Sequence, residues 1–152
     1  MLVLFGADLV SKFFVRDLMD PNQSVQVLPF LQIEYVRNRG IAFGMLEGHA
    51  AAIIVISSVV VALLVLAALA VRNKSRWTWP FALLGAGSIG NLVDRIGSGS
   101  VTDFIHISHW PAFNLADVFI VIGVLLLVRA MVWPVNQPET ATPTTAAPKP
   151  FS

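Results

Sequence analysis

The sequence predicts an all-α membrane protein with four transmembrane helices and a small β element between helices 1 and 2. Two observations predict this fold class. Of 152 residues, 56% are hydrophobic and only 12% are charged, whereas soluble domains carry about 25% charged residues. The apolar residues also collect into separate segments near the length of about 20 residues that crosses a bilayer. We expect one domain over residues 1–134.

Three of the predicted helices have the composition of transmembrane helices. Residues 50–71 form an uncharged run of Ala, Val, Leu and Ile that ends before Arg72. Residues 77–95 and 114–133 are also apolar, and each has Trp near one end. Amphipathic rings favour the headgroup region of a bilayer. These three segments are therefore predicted to cross the membrane.

The first predicted helix, residues 1–18, is shorter and more polar. It carries Asp8 and Lys12, and its apolar stretch would reach only about 22 Å across a core of about 30 Å. A secretory signal peptide fits poorly, because no basic stretch precedes the apolar run and no small-residue cleavage pattern follows it. We expect a spanning helix that lacks its first turns.

The basic residues predict the orientation of the chain. Arg72, Lys74 and Arg76 crowd the short loop between the second and third helices, with no acid among them. Such loops face the cytoplasm, so both termini are predicted to be cytoplasmic and residues 20–48 and 97–113 to lie outside.

Two segments outside the helices have distinct compositions. Residues 24–35 alternate partly and are rich in Val, Leu, Ile and Phe, which favours short strands beside the membrane. Residues 135–152 consist largely of Pro, Thr and Ala, and such a segment cannot bury enough apolar surface to fold. We predict a disordered cytoplasmic tail there.

Charge and residue types exclude several function classes. A formal net charge of +1 offers no basic surface for nucleic acid. The chain has no cysteine, and His49, His106 and His109 lack the spacing of a zinc motif. We expect no metal, no cofactor and no nucleic-acid partner.

Polar residues cluster where the third and fourth helices meet one membrane face. The third helix ends with Gly87, Asn91 and Arg95, which are spaced by four residues and share one helix face. Asp94 lies at the same end of this helix. Asn114 and Asp117 begin the fourth helix. Ionisable groups in a membrane are costly unless they are paired or hydrated, so each is a functional hypothesis.

A second carboxylate, Asp103, follows a Gly/Ser-rich turn between these helices. Asp103 and Asp117 can therefore meet at the outer end of the bundle. Two carboxylates in a partly dry site do not both ionise easily, so one keeps a proton while the other acts as a base. This pair could activate water against an amide bond.

Simpler interpretations stay open for each of these residues. Asp117 could merely cap a helix with Asn114, Asp103 could stabilise a turn, and Asp94 could pair with Arg95. The glycines Gly85, Gly87 and Gly90 favour helix packing, and Asn38, Gly40 and Gly44 are typical of turns. An ion-coupled transporter and a non-enzymatic membrane adaptor are the rival functions.

Five stretches together are more specific than any single residue. They are Asp8-Leu-Val-Ser-Lys12, Asn38-Arg-Gly-Ile-Ala-Phe-Gly44, Gly87-Ser-Ile-Gly-Asn91-Leu-Val-Asp94-Arg95, Gly99-Ser-Val-Thr-Asp103-Phe104 and Phe113-Asn114-Leu-Ala116-Asp117. In order and spacing, the chain resembles the lipoprotein signal peptidases (signal peptidase II), four-helix aspartic peptidases of the bacterial inner membrane. The resemblance covers nearly the whole chain.

The resemblance implies roles for individual residues. Asp103 and Asp117 would be the catalytic pair. Around them, Asn38, Gly40, Gly87, Asn91, Arg95 and Asn114 would bind substrate or support the carboxylates. Asp8, Lys12 and Asp94 would be structural polar residues, and the segment 38–44 would belong to an extracytoplasmic β-cradle.

The resemblance also implies the substrate. The family cleaves prolipoproteins just before a cysteine that carries diacylglycerol and is inhibited by the cyclic peptide globomycin. We therefore expect diacylglyceryl-modified prolipoproteins and membrane lipids as partners, a multi-pass location in the inner membrane, an active site near the extracytoplasmic face, and a monomer.

Overall fold

The computed structural model describes residues 1–40 and 48–133. Its helices are α1 (Leu2–Leu18), α2 (Ala50–Val71), α3 (Thr78–Ser98) and α4 (Leu115–Val132), and its strands are β1 (Ser24–Leu28), β2 (Leu31–Asn38) and β3 (Val101–Ile107). A 3-10 turn at Ser75–Trp77 links α2 to α3. Gly44 and the predicted tail at 135–152 lie outside the described residues.

Helix α3 extends to Ser98, three residues beyond the predicted end at 95. Gly99 then adopts φ 70°, and its N–H donates to the carbonyl of Arg95. A left-handed glycine is a common helix C-cap because it has no Cβ to clash. This cap turns the chain directly into β3.

The sheet contains three antiparallel strands in the order β1-β2-β3. Strands β1 and β2 form the hairpin expected between the first two helices, whereas β3 comes from between α3 and α4. In the register, Asn38 lies opposite Val101 and Leu31 opposite Ile107. The β element is thus larger than predicted, because a segment rich in β-branched and aromatic residues pairs with the second edge of β2.

Two of the described helices are long and apolar enough to cross a membrane, namely α2 with mean hydropathy 3.1 and α4 with 2.5. Only 6% of the apolar stretch of α2 and 11% of that of α4 are buried inside the protein, whereas a core helix of a soluble protein would be mostly buried. Their side chains therefore face outward, as expected for contact with lipid.

Helices α3 and α4 approach closely through glycines. A Cβ added at Gly87 would overlap the carbonyl oxygen of Ala116, and one at Gly123 would lie 2.8 Å from Leu84 Cγ. Small residues allow such backbone approach between membrane helices. This packing brings the C-terminal end of α3 against the first turn of α4, where the polar residues lie.

Candidate active site

The two predicted aspartates line the same cleft. Asp103 lies in the middle of β3, so it does not occupy a turn, and Asp117 lies in the first turn of α4. The cleft has a volume of about 340 Å³ and is also lined by Asn38, Asn91 and Arg95. Tertiary packing thus brings together residues that lie on four separate segments of the sequence.

Asp103 is 2% exposed, and its carboxylate accepts hydrogen bonds from two side-chain amides. Asn38 Nδ2 donates to its Oδ2 at 2.9 Å, and Asn114 Nδ2 donates to its Oδ1 at 2.7 Å. Burial raises the pKa of Asp103 from 3.8 to about 6; the amide of Asn38 opposes this and the charge of Asp117 adds to it. Such a carboxyl group exchanges protons near neutral pH.

Asp117 caps α4 and also lines the cleft. Its Oδ2 accepts from the backbone N–H of Asn114 at 3.1 Å, while Asn114 Oδ1 accepts from the backbone N–H of Asp117 at 3.1 Å. This reciprocal pair is a capping box. The other carboxylate oxygen of Asp117, Oδ1, accepts a hydrogen bond from Asn91 Nδ2 at 2.8 Å. The cap therefore fixes the orientation of a carboxylate that faces the cleft.

Asn91 and Asn114 connect the two aspartates. Asn114 Nδ2 donates to Asn91 Oδ1 at 3.1 Å as well as to Asp103. Lys12 Nζ also donates to Asn91 Oδ1, at 3.0 Å. Because an ammonium group can only donate, Lys12 fixes the Asn91 amide so that its nitrogen points to Asp117.

A buried charge network lies beneath the cleft. Lys12 Nζ is 2.7 Å from Asp8 Oδ2 and 3.2 Å from Asp94 Oδ2. Asp8 Oδ1 accepts from the backbone N–H of Ala116 at 2.9 Å. The predicted structural acids therefore join α1 to α3 and to the start of α4, and the network holds the helix that carries Asp117.

The alternative pairing of Asp94 with Arg95 is wrong. Asp94 forms ion pairs with Lys12 and Arg16 instead, because consecutive helical residues point about 100° apart. No role was predicted for Arg16 from the sequence, although it continues the spacing of four residues from Asp8 through Lys12. Its Nε also donates to Thr102 Oγ1 at 2.7 Å, which ties α1 to β3.

Arg95 contacts the segment that follows β2. Its Nη2 donates to the carbonyl of Gly40 at 3.1 Å, and the N–H of Gly40 donates to Asn38 Oδ1 at 3.0 Å. Arg95 and Gly40 thus hold Asn38 beside Asp103. The remaining residues of the predicted segment, 41–44, lie outside the described part of the chain.

An apolar groove of about 270 Å³ adjoins Asp117. Trp110, Phe113, Val121 and Ile122 line it, and sequence reasoning had not assigned them to the site. Within residues 1–40 and 48–133, no three His, Asp or Glu side chains are placed to hold a metal ion. The arrangement offers paired carboxylates, amide donors and an apolar surface.

The chain is similar over most of its length to a family of known proteins. Residues 1–133 match the family model described as signal peptidase (SPase) II. A lipoprotein signal peptidase of Moorella thermoacetica is 36% identical over 139 residues, covering 90% of this chain and 92% of that protein. One from Halothermothrix orenii is 37% identical, covering 84% of this chain and 88% of that protein.

A solved structure of a bacterial membrane enzyme also superposes on the chain. It has a TM-score of 0.78 and 31% identity, and the match covers 88% of this chain and 90% of that one. The similarity in fold therefore extends over most of the chain.

Proposed function

The chain belongs to the signal peptidase II family of membrane aspartic peptidases, and on this premise we propose that Asp103 and Asp117 carry out its catalysis. The predicted family and the predicted hydrolysis of prolipoproteins are confirmed by the match over most of the chain. The observation that supports the catalytic pair is its geometry: two carboxylates line one cleft and are linked by Asn114 and Asn91.

The proposed reaction is general acid and base catalysis without a covalent intermediate. A water molecule between the aspartates gives a proton to the ionised carboxylate, and its oxygen bonds to the scissile carbonyl carbon. The protonated carboxyl group then transfers its proton to the amide nitrogen while the carbon–nitrogen bond breaks. The pair ends with one proton, as it began. The pKa of Asp103, raised to about 6, fits a dyad that shares one proton.

The neighbouring residues support this chemistry in different ways. Asn38 and Asn114 donate to Asp103 and so stabilise its ionised form. Arg95 lines the cleft and holds the Gly40 segment, where a substrate backbone can lie. Gly87 contributes through close packing of α3 on α4. Lys12, Asp8 and Asp94 act as positioning residues beneath the cleft.

The proposed substrate is a prolipoprotein whose cysteine carries diacylglycerol. The apolar groove beside Asp117 adjoins the cleft, so an acylated residue could place its lipid there while its peptide bond lies between the aspartates. This placement would favour lipidated over unlipidated chains. We also expect sensitivity to globomycin and activity as a monomer.

The proposed topology has four transmembrane helices, cytoplasmic termini and an extracytoplasmic site. Arg72, Lys74 and Arg76 precede α3, whereas the cleft lies at the other end of this helix of 21 residues. That length corresponds to about 31 Å, close to the thickness of the bilayer core. A basic loop at the cytoplasmic face therefore puts the aspartates at the outer face.

The decisive test is cleavage of a diacylglyceryl-modified prolipoprotein by the purified chain, with the unlipidated protein as a second substrate. We expect Asp103→Asn and Asp117→Asn each to lower the cleavage rate by about 10³-fold or more, because proton transfer contributes about 10²–10⁴-fold. Asp17→Asn is the matched control, since Asp17 is exposed at the end of α1. Near-normal cleavage by either cleft variant would refute the dyad.

A further inference from the structure

A second cleft lies between α3 and α4 at the end opposite the aspartates. It has a volume of about 580 Å³, and its walls include Arg76, Trp79, Arg129 and Trp133. Arg76 lies in the 3-10 turn before α3 and Trp79 in the first turn of α3, whereas Arg129 lies in the last turn of α4 and Trp133 follows it as the C-cap. None of these residues lines the catalytic cleft.

The charge of this cleft is not balanced by the parts of the chain that are described. Over residues 1–40 and 48–133, the ion pairs involve other residues, and neither Arg76 nor Arg129 has a carboxylate within 4.0 Å. The Arg76 guanidinium instead lies 4.7 Å from the centre of the Trp77 ring. Guanidinium groups match the geometry of phosphate oxygens, so the cleft is complementary to an anion.

The aromatic and apolar walls indicate what carries that anion. Trp79 is 67% exposed and Trp133 is 77% exposed, and the outward face of α4 beside them is apolar. Indole rings concentrate at the level of lipid headgroups. A ligand here would meet cationic groups at one end and hydrocarbon along the helices, which is the pattern of a phospholipid.

We propose that this cleft binds one phospholipid with an anionic headgroup. Its phosphate contacts Arg76 and Arg129, and its acyl chains lie along the outer faces of α3 and α4. A zwitterionic lipid also has a phosphate, but its ammonium group is repelled by two guanidinium groups. Basic pockets between helices on the cytoplasmic side are known to hold anionic headgroups. The proposal does not depend on which residues catalyse cleavage.

The experiment measures quenching of tryptophan fluorescence by lipids brominated in their acyl chains. The full chain carries Trp77→Phe and Trp110→Phe, which leaves Trp79 and Trp133 as reporters, and it is reconstituted in phosphatidylcholine vesicles. We expect brominated phosphatidylglycerol to bind more tightly than brominated phosphatidylcholine. Each arginine that contacts the headgroup should contribute a factor of about five to this preference. Arg76→Gln and Arg129→Gln should each lower that preference about fivefold.

Lys74→Gln is the matched control, because it removes one charge from the same end of the bundle outside the cleft. Its preference for phosphatidylglycerol should stay unchanged. Circular dichroism of each variant checks that the helices are intact. Equal quenching by the two lipids, or a loss in Lys74→Gln as large as in the arginine variants, would overturn the proposal. Displacement of the lipid by millimolar inorganic phosphate would instead identify a free-anion site and also overturn it.

Discussion

Lys12 offers the sharpest test of the network beneath the aspartates. Its side chain is fully buried, and its ammonium group contacts Asp8 at 2.7 Å, Asn91 at 3.0 Å and Asp94 at 3.2 Å. Lys12→Met keeps a long apolar side chain and removes the charge. The variant therefore isolates the electrostatic contribution of one group.

The expected magnitude follows from the partners that remain. Breaking a buried ion pair costs about 3–5 kcal/mol, because a charge is left uncompensated. Asp94 keeps its ion pair with Arg16, and Asp8 keeps its hydrogen bond from the N–H of Ala116. We therefore expect Lys12→Met to lower the free energy of unfolding by about 3 kcal/mol, the lower end of that range.

A second substitution separates charge from packing. In Lys12→Met/Asp8→Asn, the new Asn can still accept from the N–H of Ala116 and no longer carries a charge. Replacing both members of a buried pair is often nearly neutral, so the double variant should lose only about 1 kcal/mol. The double variant should therefore be about 2 kcal/mol more stable than Lys12→Met alone, and the single variant Asp8→Asn completes the cycle that gives the coupling between the two positions.

The assay is reversible unfolding of the full chain in detergent, followed by tryptophan fluorescence. Lys74→Met is the matched control, because it makes the same chemical change at an exposed position. Cleavage by folded Lys12→Met should also fall, since Asn91 loses one of the two hydrogen bonds that hold its amide nitrogen toward Asp117. If Lys12→Met unfolds within about 0.5 kcal/mol of the unchanged chain, or if the double variant is no more stable than the single one, the reasoning fails.

Two further predictions concern the cleft and the helix packing. The pKa of Asp103 is raised from 3.8 to about 6 in the folded state. Its contribution to the free energy of unfolding is therefore full below pH 3.8 and is lost as the pH rises through about 6. The loss is at most about 3 kcal/mol. Unfolding measured from pH 4 to 7 should show this slope, and the slope should flatten in Asp103→Asn; equal slopes would contradict the burial of this carboxyl. Gly87→Ala should destabilise by about 1–3 kcal/mol, because its Cβ would lie 2.8 Å from Ile120 Cγ1 and would overlap the Ala116 carbonyl. Gly97→Ala, with nothing within 4 Å of its Cβ, should be neutral or stabilising in the same unfolding assay in detergent. Equal losses in the two variants would argue against close packing of α3 on α4.

Local patterns were sufficient for much of the candidate site. The spacing of Gly87, Asn91 and Arg95 on one helix face and the position of Asp117 in a first turn are properties of short segments. The Gly/Ser-rich turn before Asp103 led to its pairing with Asp117, and the family resemblance supplied the link to Asn38. None of these inferences required knowledge of which helices are neighbours, and the structure brings Asp103, Asp117, Asn38 and Asn91 to one cleft.

Features that depend on distant partners were missed. Residues 97–104 were interpreted as a turn that delivers Asp103, yet Val101–Ile107 forms a strand because β2 offers it an edge. Arg16 gave a visible signal, the spacing of four from Lys12, but its partner Asp94 lies 78 residues away. The spacing indicates a shared face of α1 without identifying the helix that this face meets.

The sequence by itself determined the class of protein, the apolar segments and the residues able to perform acid and base chemistry. Hydropathy and helical periodicity depend on neighbouring residues, so they can be read without a fold. Only the tertiary structure decided that Lys12 orients Asn91, that Asp94 pairs with Arg16, and that Asp117 both caps α4 and lines the same cleft as Asp103. These contacts join α1, α3, β3 and α4, and the directed geometry of each hydrogen bond exists only after those elements have packed.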